Sequence, residues 1–193
     1  MNYLGHIFLS GTNEQLLVGN FIGDYVKGKQ YLNYPEEIQK GILLHRAIDE
    51  FTDRNLHWMA IRELLRPIYK RYAGVVADIV VDHFLAANWN RFSDEQLNWY
   101  AKWVYAVFLR NFDQMPLRVQ GFLPYLIQHR RLQSYAKISG LEMSLRIMSL
   151  RTSLPDCTEE SIDLLKEKYE AFKEYSLLFL ADAIAFVADS RSE

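Results

Sequence analysis

Imidazole and carboxylate side chains recur in this sequence inside runs that are otherwise apolar. The positions Ile38, Ile42, His45 and Asp49 are spaced by four, three and four residues. On an α-helix those positions share a face, so an apolar stripe runs straight into an imidazole and a carboxylate one turn apart. Asp53 extends the line by another turn. Asp78 and Asp82 are also one turn apart, in Asp78-Ile79-Val80-Val81-Asp82-His83-Phe84-Leu85, and His83 follows directly. Asp24 sits in Phe21-Ile22-Gly23-Asp24-Tyr25-Val26, and His6 in Leu4-Gly5-His6-Ile7-Phe8-Leu9. An aspartate in such company is costly to bury unless a donor, a cation or a metal meets it. Imidazole nitrogens and carboxylate oxygens together suit a divalent transition metal such as manganese, iron or zinc. A metal held this way polarises a phosphoryl group and acidifies water. The plain alternative is that each of these groups is a hydrogen-bonded core residue, and no fixed-spacing motif such as His-Glu-x-x-His is present to exclude it.

Helical periodicity prevails in the elements that must position these groups. Nine Gly and five Pro are few for 193 residues, and the alternation of a strand is nearly absent. Asn13 is placed to cap a helix running to about Lys27, with Gly28 as its stop. Pro35 begins a helix to about Asp53, with Glu36 and Glu37 at the positive end of its dipole. A further helix is expected from about Trp58 to Tyr72, bent at Pro67. Another follows Gly74. Ser93-Asp94-Glu95-Gln96 reads as a capping box opening a helix to about Asn111. Pro116 begins the next, Gly140 to Arg151 forms a short one, and Glu159 to about Asp189 reads as one long helix. No repeat, linker or low-complexity tract interrupts the series, so residues 1–193 are expected to form a single all-α domain, a multi-helix bundle. Gly19 and Gly23 suit a close approach between helices.

Composition narrows the classes of function. Half of the residues are hydrophobic and 24% are charged, which is the profile of a folded globular protein. A single cysteine, Cys157, excludes an internal disulfide. The most apolar stretch, Leu177 to Ala188, is shorter than a membrane span and is broken by Asp182. The start, Met1-Asn2-Tyr3-Leu4-Gly5-His6, lacks the basic character of a secretory signal, so a cytoplasmic location is expected. A net charge of −2 argues against a nucleic-acid partner. Basic residues nevertheless gather locally. Arg62, Arg66 and Lys70 recur every four residues, which on one helix gives a basic face, either a docking surface or merely solvated. Arg118, Arg130, Arg131, Lys137, Arg146 and Arg151 populate a later region.

Four segments carry a family resemblance. They are Met1 to Ser10 (Met-Asn-Tyr-Leu-Gly-His-Ile-Phe-Leu-Ser), Gly19 to Gly28, Gly41 to Asp53 and Asp78 to Ala86, with a weaker continuation from Gly140 through Arg151. In order and separation they resemble the acyl-carrier-protein phosphodiesterase family. The resemblance implies an all-helical fold akin to a divergent branch of the HD-domain metal-dependent phosphohydrolases. It implies hydrolysis of the phosphodiester between 4'-phosphopantetheine and a serine of holo-acyl carrier protein, with manganese as the favoured cofactor. Carried onto this chain, it places Asp24, His45, Asp82 and His83 at the centre of the site as catalytic or metal-binding groups, with His6 and Asp49 next. The order Asp82-His83 reverses the usual His-Asp doublet, and Asn55-Leu56 stand where relatives often have His-Pro. Asn20, Lys27 and Arg46 lie close in sequence to these groups and are candidates to hold phosphate oxygens. An acidic carrier protein would dock on basic side chains, for which Arg62, Arg66 and Lys70 are the first candidates. Two other classes remain open, an HD-like phosphohydrolase acting on a small nucleotide or phosphoester, and a non-catalytic helical binding module.

Overall fold

The computed structural model describes residues 1–190, and among them every regular element is helical. The helices are α1 (Tyr3–Leu9), α2 (Glu14–Ile22), α3 (Glu36–Arg54), α4 (Leu56–Tyr69), α5 (Ala73–Ala87) and α6 (Leu97–Arg110). They continue as α7 (Leu117–Gln128), α8 (Arg131–Ser134), α9 (Ile138–Arg151), α10 (Thr158–Glu167) and α11 (Tyr169–Ser190). Buried hydrophobic side chains drawn from Met1 through Val187 form one continuous cluster. None of these helices is long and apolar enough to cross a membrane.

Local chemistry sets the ends of the helices around the candidate site. The Asn13 side chain accepts the N–H groups of Gln15 and Leu16, so α2 starts where the sequence places it. It ends at Ile22, not near Lys27, and a 3-10 turn over Gly23–Tyr25 follows. Gly28 lies beyond that turn at φ +56°. The α2–α3 pairing is unusually close. A Cβ on Gly19 would lie 2.2 Å from the Ile38 carbonyl oxygen, and one on Gly41 would lie 2.2 Å from that of Leu16. Two glycines facing each other across the crossing thus let the backbones touch.

Other expected boundaries move for identifiable reasons. The segment Ser93–Gln96 does not open a helix; Trp89 Nε1 donates to the Glu95 carbonyl and holds it as a turn, and α6 begins at Leu97. Pro67 sits in the last turn of α4, which ends at Tyr69 because Lys70 adopts φ +50°. The expected long C-terminal helix is two, α10 and α11, broken at Lys168. The break brings the Tyr169 ring against Phe84 of α5, with centroids 5.0 Å apart. Asp82, fully buried on α5, accepts the N–H groups of Leu4 (2.8 Å) and Gly5 (3.0 Å). It therefore satisfies the open N-terminal amides of α1 and fixes the helix that carries His6.

Gly41→Ala is expected to lose about 2 kcal/mol or more of stability through overpacking at the crossing, a fall in Tm of roughly 4–8 °C for a chain of this size. Thermal unfolding followed by circular dichroism measures it. An unchanged Tm would show that the crossing relaxes freely.

Candidate metal centre

His6 from α1 and His45 from α3 lie face to face, ring centroids 4.0 Å apart and planes inclined by 19°. A single residue of α2 orients both rings. The His6 Nδ1–H donates to Asn20 Oδ1 at 2.9 Å, and the His45 Nδ1–H donates to the Asn20 main-chain carbonyl at 2.8 Å. The Asn20 amide nitrogen is itself committed, donating to the His6 carbonyl and to Ser10 Oγ, so its oxygen must face the ring. Because a carbonyl can only accept, both Nδ1 atoms carry hydrogen, and in the neutral rings both Nε2 atoms present lone pairs. Gly23 makes room for this arrangement, since a Cβ there would lie 2.3 Å from the His45 ring.

Those lone pairs converge on carboxylates. Asp49 places one oxygen 3.2 Å from His6 Nε2 and the other 3.2 Å from His45 Nε2. Asp24, exposed in the 3-10 turn, brings an oxygen to 3.4 Å from His45 Nε2. Both Nε2 atoms are buried, and neither has a hydrogen bond of good geometry. One donor atom from each of His6, His45 and Asp49 lies within 4.8 Å of the others. Buried nitrogens without partners, aimed at carboxylate oxygens that are also acceptors, are the arrangement a cation resolves. The donor set is nitrogen and oxygen with no thiolate, which suits a borderline or harder divalent ion. Second-sphere support is already built, since each imidazole spends its other nitrogen on a carbonyl.

The electrostatics agree. Burial would raise Asp49, but the two imidazoles hold its carboxyl well below the usual carboxylate range. The neighbouring His45 ring likewise holds Asp24 down. Burial lowers His6 to about 4, and its stacked neighbour adds to that. Burial acts the same way on His45, yet Asp24 and Asp49 outweigh it and raise the ring to about 9. The pocket therefore favours positive charge at the point where His45 Nε2 meets the two carboxylates.

Of the residues singled out from sequence, His6, Asp24, His45 and Asp49 come together here. Asp82 and His83 do not belong to this group. Asp82 is engaged by the α1 amides, and burial pushes it up to about 7. His83 donates from Nδ1 to the Tyr135 carbonyl and packs its ring against Phe84 and Tyr169. Asn20 is fully buried, with its side-chain polar atoms spent on His6 and Ser10. The Arg46 guanidinium donates to the carbonyls of Val26 and Gly28 and lies over the Tyr31 ring, fastening the loop after Asp24. Lys27 is exposed on that loop. Arg62 and Arg66 are both bridged by Glu63, and Lys70 lies beyond the end of α4, so the three cations do not share one helical face.

Sequence reasoning missed two features. The first is Asn20 as the common support of both imidazoles; its one signal is an amide amid Val18-Gly19-Asn20-Phe21-Ile22. The second is a cavity of about 670 Å³ reaching from Asp24 towards α7 and α9, lined by Tyr25, Arg118, Phe122, Arg131 and Arg151 among others. A narrow recess at its inner end is bounded by Tyr3, Asp24, Asn20, His6 and His45, so the cavity leads to the cluster.

The sequence profile of the acyl carrier protein phosphodiesterases matches residues 1–183. The chain belongs to that family. A relative called acyl carrier protein phosphodiesterase in Klebsiella pneumoniae (strain 342) is 30% identical over 171 residues, covering 88% of this chain and 89% of its own. Another so called in Enterobacter sp. (strain 638) is 29% identical over 174 residues, covering 90% of each. One in Salmonella agona (strain SL483) is 29% identical over 175 residues, covering 90% of this chain and 91% of its own. No solved structure matches the chain. All the residues of the cluster fall within the matched span.

Asn20→Ala is expected to weaken binding of a divalent ion by about 10–100-fold, since it removes the partner of His6 without touching a ligand. His45→Ala should abolish binding. Calorimetric titration of the folded proteins with manganese, cobalt and zinc distinguishes them; equal affinity for wild type and His45→Ala would remove the ion from this cluster.

Proposed function

We propose that this protein hydrolyses the phosphodiester joining a 4'-phosphopantetheine arm to a serine of holo-acyl carrier protein, releasing the apo-protein. The observation that carries the reading is the His6–His45–Asp49 cluster, with Asp24, at the inner end of a large cavity in a chain of this family. His6, His45 and Asp49 would hold a divalent ion, manganese first, with Asp24 completing the set from the rim. Such an ion supplies Lewis-acid stabilisation of charge on the phosphoryl group and a more acidic water. The rest falls to the chain's own side chains. Asn20 keeps both imidazoles in the tautomer that turns Nε2 towards the cluster. Asp24 is exposed to the cavity and held as a carboxylate, so it can take a proton from the attacking water. Water adds at phosphorus as the bond to the serine oxygen breaks, leaving the phosphate on the arm. The departing serine oxygen needs a proton. Tyr3 and Tyr25, whose hydroxyls are 2.9 Å apart beside Asp24, offer O–H groups there, and burial keeps the Tyr3 proton in place. Asp82 serves this reading by anchoring the helix that bears His6.

Incubation with holo-acyl carrier protein and manganese, read by intact mass, should show loss of the prosthetic group. Asp49→Ala and His45→Ala should each lose nearly all of it while remaining helical, and the double variant should be little worse than either alone because the groups act as a unit. Persistence of the holo-protein with every divalent ion tried would sink the reading. Turnover of nucleotides or small phosphoesters in its place would favour a general phosphohydrolase, and no ion bound at all would favour a binding module.

Salt separates docking from chemistry. Screening shortens electrostatic reach from about 10 Å at 0.1 M to about 3 Å at 1 M. Hydrolysis of the acidic carrier should therefore fall more steeply with salt than hydrolysis of bis(p-nitrophenyl) phosphate. Parallel salt curves for both substrates would count against electrostatic docking.

A further inference from the structure

The cavity beyond Asp24 has a charge pattern that a metal centre does not require. Arg118 on α7, Arg131 on α8 and Arg151 at the end of α9 all line it, and none has a carboxylate within 4.0 Å among the described residues. Arg54, Arg66, Arg110 and Arg146, by contrast, pair with Glu50, Glu63, Glu14 and Glu142. Here each guanidinium rests on an aromatic ring instead. Arg118 lies 5.6 Å from the centroid of Tyr25, Arg131 5.9 Å from that of Tyr135, and Arg151 5.6 Å from that of Tyr125. Stacking of this kind holds the planar group in place while leaving N–H donors free at its edge. Arg131 is fixed further by donating to the buried Ser144 Oγ, which in turn donates to the Gly140 carbonyl. The ring under Arg118 belongs to the residue directly after Asp24, so the arginine cleft and the metal centre share one wall.

We propose that this cleft binds the phosphorylated, amide-bearing arm of the substrate, and that Arg118, Arg131 and Arg151 are its specificity-determining residues. The inference rests on the proposed function for the identity of the arm. Its chemistry is that of an elongated chain with a phosphate at one end and amide carbonyls along its length. Aromatic walls suit the methylene portions, and free guanidinium edges suit the carbonyls and the phosphate oxygens. The sequence-derived docking face at Arg62 and Arg66 has its charge bridged by Glu63 and does not line this cavity.

The test is binding, with activity as a second readout. Wild type and the double variant Arg118→Ala/Arg151→Ala, both exposed positions, are titrated calorimetrically with 4'-phosphopantetheine and with inorganic phosphate. Expected are tighter binding of phosphopantetheine than of phosphate by wild type, and a loss of about tenfold or more in the double variant. The Lys replacements at both positions should recover only part of it, and an unchanged Tm establishes that the fold is kept. With holo-carrier protein the double variant should show a raised KM at nearly constant kcat. Equal phosphopantetheine affinity in wild type and variant overturns the cleft even if the carrier protein is hydrolysed. Equal affinity of wild type for phosphate and phosphopantetheine overturns it too. Arginine-dependent binding of phosphopantetheine in a protein that leaves the carrier intact upholds the cleft and fails the proposed reaction instead.

Discussion

Both imidazoles of the cluster hang on one residue, and that residue can reach them only because two backbones touch. Asn20 meets His6 with its side-chain carbonyl and His45 with its main-chain carbonyl. The second bond requires α3 to lie against α2 closely enough for a side chain of one to meet a carbonyl of the other. Gly19 and Gly41, whose Cα atoms face each other at the crossing, provide that approach, and Gly23 clears the volume the His45 ring fills. A side chain at any of the three would push α3 outward and leave Asn20 with one imidazole instead of two. Helix packing and ligand orientation are thus a single constraint for His45, since the crossing brings its Nδ1 to the Asn20 carbonyl.

The same residue type does different work at three places because its partners differ. Asp49 faces two imidazole nitrogens and is held ionised, so it adds negative charge to the cluster. Asp82, equally apolar in its sequence surroundings, meets two backbone amides and serves as a cap. Asp78 lies between the Trp58 indole N–H and the Met1 amine. A buried carboxylate must be satisfied by some donor, but sequence spacing cannot say which donor the fold will deliver. The Ile38-Ile42-His45-Asp49 stripe was legible because its chemistry lies along one helix, where periodicity fixes the face. Asp82 and His83 were ambiguous because their partners, the α1 amides and the Tyr135 carbonyl, come from 77, 78 and 52 residues away.

The fold class could be read from periodicity, since helix after helix carries its apolar face at the right spacing. What could not be read were ends that the apolar periodicity does not set. Trp89 holds Ser93–Gln96 as a turn through a bond to the Glu95 carbonyl, overriding a plausible capping box. Tyr169 divides what periodicity joins into one helix by packing on Phe84. Lys70 leaves the helical path at φ +50°, which removes it from the face that a spacing of four assigns it. Of the three, only the Tyr169–Phe84 contact is distant in sequence; the Trp89–Glu95 bond spans six residues, and Lys70 departs through its own backbone.

Charge across the molecule divides along the same lines. A guanidinium bridged to a glutamate on its own helix, such as Arg66 with Glu63, presents a partly neutralised surface to a partner. An arginine stacked on tyrosine keeps its full charge and its free donors, and the ring limits the entropy lost when a ligand arrives. Three such arginines on α7, α8 and α9 line a cavity that Asp24 also lines, next to the recess bounded by His6 and His45 and close to Asp49. One end of the cavity therefore favours anions and the other favours cations. On the proposed function, a cation held at the carboxylate end would meet the phosphoryl oxygens, and the amide carbonyls of the arm would lie along the guanidiniums. Reversed, those carbonyls would lie against the carboxylates, acceptor against acceptor, and the guanidiniums would lose their partners. The polarity of the cavity would thus select the direction of binding.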